Sequence, residues 1–239
     1  MTDEWLLKDA IDSLQDPTNS ATKALSQAID SGDLRLIKLL LKNGAELGHP
    51  EANIEWRKLS AAVELGDRDV VNLMCDKLEA KSRNGKTMLH LAAQQGHTTI
   101  VQFLLGNPGG VINSGNKYNQ TALHLAARSG HEAIVRLLLD NRAEVMVRTR
   151  SGWTALHWAA LCGHKVIVRL LLDKEAEVGA KATDNGWTAL HLAASEGHET
   201  IVQLLLTKGA LPMGKTNEGK TALQLAQSNR HKAVIRLLQ

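Results

Sequence analysis

Histidine, cysteine and tryptophan offer this 239-residue chain most of its chemistry. Nine of its ten histidines fall into two rows. His90, His124, His157 and His191 each stand three residues after a threonine; His97, His131, His164, His198 and His231 each stand ten residues after one. Imidazole can ligate a metal or act as a general base near neutral pH, but either role needs carboxylates or thiols converging on one point. These side chains instead recur one set at a time along the chain. That pattern points to structural use, with imidazoles bonding backbone at turns. His49 stands alone and carries no signal. The sequence shows no zinc-ligand spacing, no Gly-rich phosphate loop and no Ser or Cys nucleophile beside a base. The expectation is a chain without catalytic residues, metal or cofactor.

The two cysteines, Cys75 and Cys162, are far apart in the sequence, so a mutual disulfide is not expected. Two thiols in a chain of this size fit a reducing compartment. The segment with most chemical character is 153–162. Trp158, Leu161 and Cys162 are spaced i, i+3, i+4 and share one face of any helix they form, with Trp153 just ahead of them. Cys162 is the one candidate for a reactive group there.

These residues are positioned by a repeating element. Thr87-Met88-Leu89-His90-Leu91-Ala92-Ala93 returns as Thr121-Ala122-Leu123-His124-Leu125-Ala126-Ala127, as Thr154-Ala155-Leu156-His157-Trp158-Ala159-Ala160 and as Thr188-Ala189-Leu190-His191-Leu192-Ala193-Ala194. A worn fifth copy reads Thr221-Ala222-Leu223-Gln224-Leu225-Ala226. The threonines step by 34, 33, 34 and 33 residues. Each full copy reaches Gly-His nine residues after its Thr, then an aliphatic run such as Ile134-Val135-Arg136-Leu137-Leu138-Leu139. Thr can cap a first helix, the paired alanines let two helices approach closely, and the glycine supplies a left-handed turn before a second helix.

A period near 33 residues carrying T-x-L-H-x-A resembles the ankyrin repeat. Here Ala or Met fills the slot where that family usually places Pro. The resemblance implies an all-α fold: an ankyrin-repeat α-solenoid of stacked helix-turn-helix units with projecting β-hairpin fingers. Asn84-Gly85, Ser151-Gly152 and Asn185-Gly186 suit the finger turns. It also implies that like histidines lie about 10 Å apart along the stack, a layer spacing too wide for shared ligation. Residues 1–19 read as an N-terminal helical cap, with a helix over 4–15. Residues 20–239 read as the array, with units near 20–52, 53–82, 83–116, 117–149, 150–183, 184–216 and 217–239, the first two degenerate. Arg57 and Thr87 are only 30 residues apart, which predicts a short outer helix or tight loop after Met74. Pro108, Gly109 and Gly110 make residues 106–116 a turn-rich connection between repeats rather than a domain boundary. The chain stops at Leu237-Leu238-Gln239 without a polar closing helix, which leaves open whether the last unit caps the array or the chain is a piece of something longer.

Charge narrows the class of partner. Residues 1–79 hold nine Lys/Arg against fifteen Asp/Glu, a net −6; residues 80–239 hold nineteen against ten, a net +9. No apolar stretch approaches a membrane span, and the acidic start Met1-Thr2-Asp3-Glu4-Trp5 lacks a signal-peptide pattern. The expected place is the cytoplasm or nucleus, and the expected state a monomer.

In the ankyrin family partners are held by finger tips and by the concave face of the first helices. Carried over by position, those slots hold Arg83, Asn84, Lys86, Gln94 and Gln95; Lys117, Tyr118, Gln120, Arg128 and Ser129; Arg150, Ser151, Trp153, Leu161 and Cys162; Asp184, Asn185, Trp187, Ser195 and Glu196; and Asn217, Glu218, Lys220, Ser228 and Asn229. The middle unit is apolar where its neighbours are polar. Trp153, Trp158, Leu161, Cys162 and Trp187 form either a binding anchor or rings packed flat on adjacent fingers, and Tyr118 is a further candidate contact at its own finger. A basic strip of Lys81, Arg83, Lys86, Lys117, Arg148, Arg150, Lys181, Lys215 and Lys220 faces few acids, Asp184 and Glu218. The candidate partner is another protein with an acidic segment; nucleic acid is disfavoured because the charge is modest and no groove-reading motif is present. The leading function is a non-catalytic protein-protein interaction scaffold. The alternative is a small-molecule binder or enzyme using a Trp-lined pocket around Trp153–Cys162.

Overall fold

The structure, a computed structural model, describes residues 82, 84–106 and 112–239. The expected cap over 1–19, the degenerate unit over 20–52, all but Ser82 of the one over 53–82, the tightened segment after Met74, and the strip residues Lys81 and Arg83 lie outside the described residues. The chain divides into two compact units, 1–110 and 111–239. The division falls inside the connection over 106–116, most of whose Pro and Gly are likewise outside the described residues.

The described part of the first unit is one helix pair, α1 (Met88–Gln95) and α2 (Thr98–Leu105), which pack on each other. The second unit holds four such pairs: α3 (Ala122–Ser129) with α4 (Glu132–Asp140), α5 (Ala155–Leu161) with α6 (Lys165–Asp173), α7 (Ala189–Glu196) with α8 (Glu199–Thr207), and α9 (Ala222–Ser228) with α10 (Lys232–Leu238). Within it the first helices form one packed row, α3 to α5 to α7 to α9, and the second helices form another, α4 to α6 to α8 to α10. The core lies between the rows. Ala159 and Ala160 on α5 and Ile167, Val168 and Leu171 on α6 are completely buried, and the same positions repeat in the flanking pairs. Alanine's single methyl group brings the helices close, and the β-branched and Leu side chains of the second helix fill the remaining space.

The start of each first helix is fixed by a reciprocal cap. At α5 the Thr154 N–H donates to His157 Nδ1 at 3.1 Å, and the Thr154 hydroxyl faces the N3 backbone in return. This is the capping-box arrangement with histidine in place of the usual Glu or Gln. Thr121–His124 and Thr188–His191 repeat it, and in the last repeat Gln224 Oε1 accepts from Thr221 N–H at 2.9 Å. Because Nδ1 accepts a backbone proton, the ring's own proton sits on Nε2. That N–H donates to the next repeat: His124 to Trp153 O at 3.2 Å, His157 to Trp187 O at 3.2 Å and His191 to Gly214 O at 3.0 Å. The second row of histidines points the other way. His164 Nε2 donates to Arg128 O, His198 to Leu161 O and His231 to Ser195 O, each carbonyl being at the end of the preceding repeat's first helix.

Gly163 shows why glycine ends a first helix. Its φ is +80°, and a Cβ there would stand 2.8 Å from the His198 ring. Backbone conformation and the neighbouring imidazole both exclude a side chain.

The loops between repeats are compact turns. Residues 149–153 close through Thr149 N to Trp153 O at 2.8 Å and Gly152 N to Thr149 O at 2.9 Å, and 182–187 and 216–220 close likewise. Their tips are tied in series by Arg150 N to Tyr118 O, Thr183 N to Ser151 O and Asn217 N to Asn185 O, each 2.9 Å. Among the described residues these turns carry no paired strands, and the only β-type pairing is an isolated bridge between Lys215 and Thr221.

Burial pushes the His157 pKa down to about 4, against the opposing pull of the carbonyls of Trp187 and Ala180 that accept from it. Above pH 6.5 the ring is neutral in folded and unfolded chains alike. Between 6.5 and about 4 the unfolded chain takes up a proton that the fold refuses. Stability should therefore be full above pH 6.5 and fall by about 3 kcal/mol as the pH drops toward 4. Urea unfolding at pH 7.5 and 4.5 measures this for the native chain and His157→Gln. Gln keeps the cap, as Gln224 does, and does not titrate, so the pH-dependent loss should shrink. An unchanged pH dependence would refute the assignment.

Candidate functional site

In the second unit the tip of one turn, the face of its first helix and the tips on either side enclose an open groove of about 460 Å³. It is lined by Tyr118, Gln120, Arg128, Thr149, Arg150, Ser151, Trp153, Trp158 and Asp184. Residues from three successive repeats meet here because the tips are tied backbone to backbone and the first helices stand side by side. Trp153 is set by its own N–H, which donates to Thr149 Oγ1 at 3.0 Å, and by its carbonyl, which receives the His124 tether.

The two indoles are in contact. The Trp153 and Trp158 rings lie 4.5 Å apart between centroids at 44°, and Trp153 also leans on the His157 ring at 5.8 Å. The Arg128 guanidinium covers the other ring system, 4.8 Å from the Trp158 centroid. A cation over an indole face is worth about 0.5–1 kcal/mol when exposed. The Trp158 Nε1–H is buried and has no hydrogen-bond partner; such an orphaned donor costs about 1–3 kcal/mol. Both rings are half-buried, so each is packed on one side and presents the other to the groove.

The sequence-derived candidates separate into groups. Tyr118, Arg128, Arg150, Trp153 and Trp158 all line the groove. Leu161 and Cys162 end α5 beside it without lining it; the Leu161 carbonyl is taken by His198. Trp187 is outside it and stands by its own repeat's His191, with ring centroids 6.5 Å apart. Lys117 lies over the Tyr118 ring at 4.9 Å. Lys86 belongs to the first unit, where its Nζ donates to Gln94 Oε1 at 2.9 Å. Arg83 lies outside the described residues.

The basic strip is less free than its sequence suggests. Arg148 pairs with Glu177 at 3.2 Å and donates to Lys181 O, Lys181 Nζ reaches Lys215 O at 3.2 Å, and Lys220 pairs with Glu218 at 2.9 Å. Glu177 escaped the sequence reading because it lies outside the finger positions, yet it reaches Arg148 across a repeat. Thr149 and Ser151, which supply polar edges to the groove, sit at finger positions, and a census of turn residues brings Ser151 but not Thr149.

A stack of capped helix pairs joined by short turns, with a lined groove along its turn-and-first-helix side, defines a helical-repeat protein. A family profile for ankyrin repeats in three copies matches residues 25–116, 59–149, 108–182, 141–214 and 176–239, which together cover 25–239. The chain belongs to the ankyrin-repeat family, and its fold class is that family's all-α repeat solenoid. No curated protein matches the chain.

Cys162 is exposed at the helix end, but its packed side raises the thiol pKa; Arg128 pulls it down and Glu196 pushes it further up. Less thiolate than an ordinary cysteine should therefore be present at neutral pH. With Cys75 replaced by Ser, iodoacetamide should modify Cys162 more slowly than free cysteine at pH 7.5, and Arg128→Ala should slow it again. Faster alkylation than free cysteine at pH 7.5 would restore Cys162 as a reactive centre.

Proposed function

We propose that this chain is a non-catalytic protein-protein interaction scaffold that holds a partner segment in the groove of its second unit. Ankyrin repeats are generally protein-binding modules. The observation that carries the specific reading is the Trp153–Trp158 pair, half-buried with Arg128 over one ring and with Arg150 at the groove's rim. Aromatic and Arg side chains, fixed in place and partly dehydrated, are the types that anchor interfaces. The tethers on either side hold them in position before binding, which reduces the ordering cost of association.

The partner is another protein that brings carboxylates to Arg128 and Arg150. The scaffold acts as a monomer in the cytoplasm or nucleus, a setting consistent with two cysteines placed in separate repeats. The small-molecule alternative loses its reactive group, since Cys162 does not line the groove and its thiol is pushed toward the protonated form.

Capture of partners with the intact chain, compared with Trp153→Ala and Trp187→Ala, tests this reading. Trp153→Ala should weaken the captured complex by about 2 kcal/mol, roughly 30-fold, while Trp187→Ala should leave it within about twofold. Equal losses, or no loss at Trp153 in a variant whose circular dichroism and melting are preserved, would remove the groove as the binding site.

A further inference from the structure

The groove is not uniformly basic. Arg128, on α3, comes from the earlier repeat, and Arg150 stands on the tip of residues 149–153, whose backbone is bonded to the earlier tip at Tyr118; Lys117 lies at that earlier tip over the Tyr118 ring. On the side of the later repeat stands Asp184, at the next tip; Glu196, the last residue of α7, lies outside the lining and acts by its charge on Cys162. Between the two lies the Trp153–Trp158 pair; the end of α5, with Leu161 and Cys162, is beside the groove. The tips are joined in order by Arg150 N to Tyr118 O and Thr183 N to Ser151 O, so the charges follow the stacking direction. The Cys162 thiol feels both ends: Arg128 stabilises its anion and Glu196 destabilises it.

Among the described residues Arg128, Arg150, Asp184 and Glu196 make no salt bridge to one another or to any other side chain. Elsewhere in the same unit comparable charges are neutralised across repeats, as in Lys174–Asp140 and Lys208–Asp173. Around the groove, positive and negative charges are instead left apart on opposite sides of an apolar centre.

We propose that the groove reads a charge-polarised partner segment, with carboxylates at the Arg128 and Arg150 end, an apolar side chain over the indole pair, and Lys or Arg at the Asp184 and Glu196 end. The inference rests on the scaffold reading above and replaces a merely acidic partner with an ordered one. A uniformly acidic segment would gain at one end and be repelled at the other; like charges brought together at an interface disfavour the wrong partner more than they weaken the right one.

Three synthetic peptides on the full chain test it by fluorescence anisotropy at 0.15 M salt. Each is dye-labelled and of equal length, with a central Trp. One carries Glu-Glu on one side and Lys-Lys on the other, one mixes the same four charges, and one carries four Glu. The block-charged peptide should bind at least tenfold tighter than the mixed one and tighter than the acidic one. In Asp184→Asn/Glu196→Gln the advantage over the acidic peptide should fall, and in Asp184→Lys/Glu196→Lys the acidic peptide should become the tighter ligand. Asn at 184 retains the side-chain oxygen that accepts from Asn185 N–H, so the first pair of changes leaves the turn intact. Tightest binding by the acidic peptide to the native chain, or an order of affinities unmoved by either pair of changes, would overturn the inference while leaving the groove as a binding site. Binding by any peptide that ignores Trp153→Ala, or no binding by any of them, would instead sink the scaffold reading and the inference with it.

Discussion

A neutral imidazole can accept a hydrogen bond from one backbone N–H and donate one to a backbone carbonyl, and each T-x-L-H histidine of the second unit does both, the first within its own repeat and the second across a repeat boundary. Nδ1 closes the cap on its own helix while Nε2 holds the carbonyl of the next repeat's turn. The turn histidines bind backward, to carbonyls that a helix end would otherwise leave unsatisfied. Within the second unit the pairs α5–α6 and α7–α8 are thus joined to their neighbours in both directions by directional bonds, in addition to the apolar core. A repeat array has few contacts between units distant in sequence, so its cooperation depends on such nearest-neighbour terms. The arrangement needs neutral rings. Burial favours that state in His157 and His191, since a protonated Nδ1 could not accept from the cap.

The groove follows from the same tethers. The Trp153 carbonyl is held by His124 while its ring faces Trp158, so one residue links the stacking of repeats to the wall of the site. Arg128 has a similar double position: its carbonyl accepts from His164 and its guanidinium covers Trp158. Side chains whose backbones are fixed in this way need little reorganisation to meet a partner. The buried Trp158 N–H without an acceptor is the one polar defect of this wall, and it lies beside the charges left unneutralised around the groove.

The repeat made the helices legible. The Thr caps, the left-handed glycines at Gly96, Gly130, Gly163 and Gly197, and the buried Ala pairs all stand where the 33-residue spacing put them. The Asn-Gly and Ser-Gly pairs marked the tight turns and say nothing of how much chain pairs beyond them. The histidines were read as backbone ligands, but their reach into the neighbouring repeat has no local signal. The basic strip was read from composition at finger positions, and Glu177, 29 residues from Arg148, could not be matched to it by spacing on a single helix.

The order of residues by itself determined the unit: its length, its caps, its turn and which side of each helix is apolar, because those are consequences of neighbours within one turn of chain. It also placed the unusual Trp-bearing repeat in the middle of its polar neighbours. Only the tertiary structure decided which of those side chains share a surface. Trp153 and Trp158 meet while Trp187 turns to its own histidine, and Arg128 and Asp184 come to one groove from repeats on either side. Those distances are set by how one helix pair seats on the next, and that seating is fixed by packing and by bonds between residues some thirty positions apart, which no local pattern encodes.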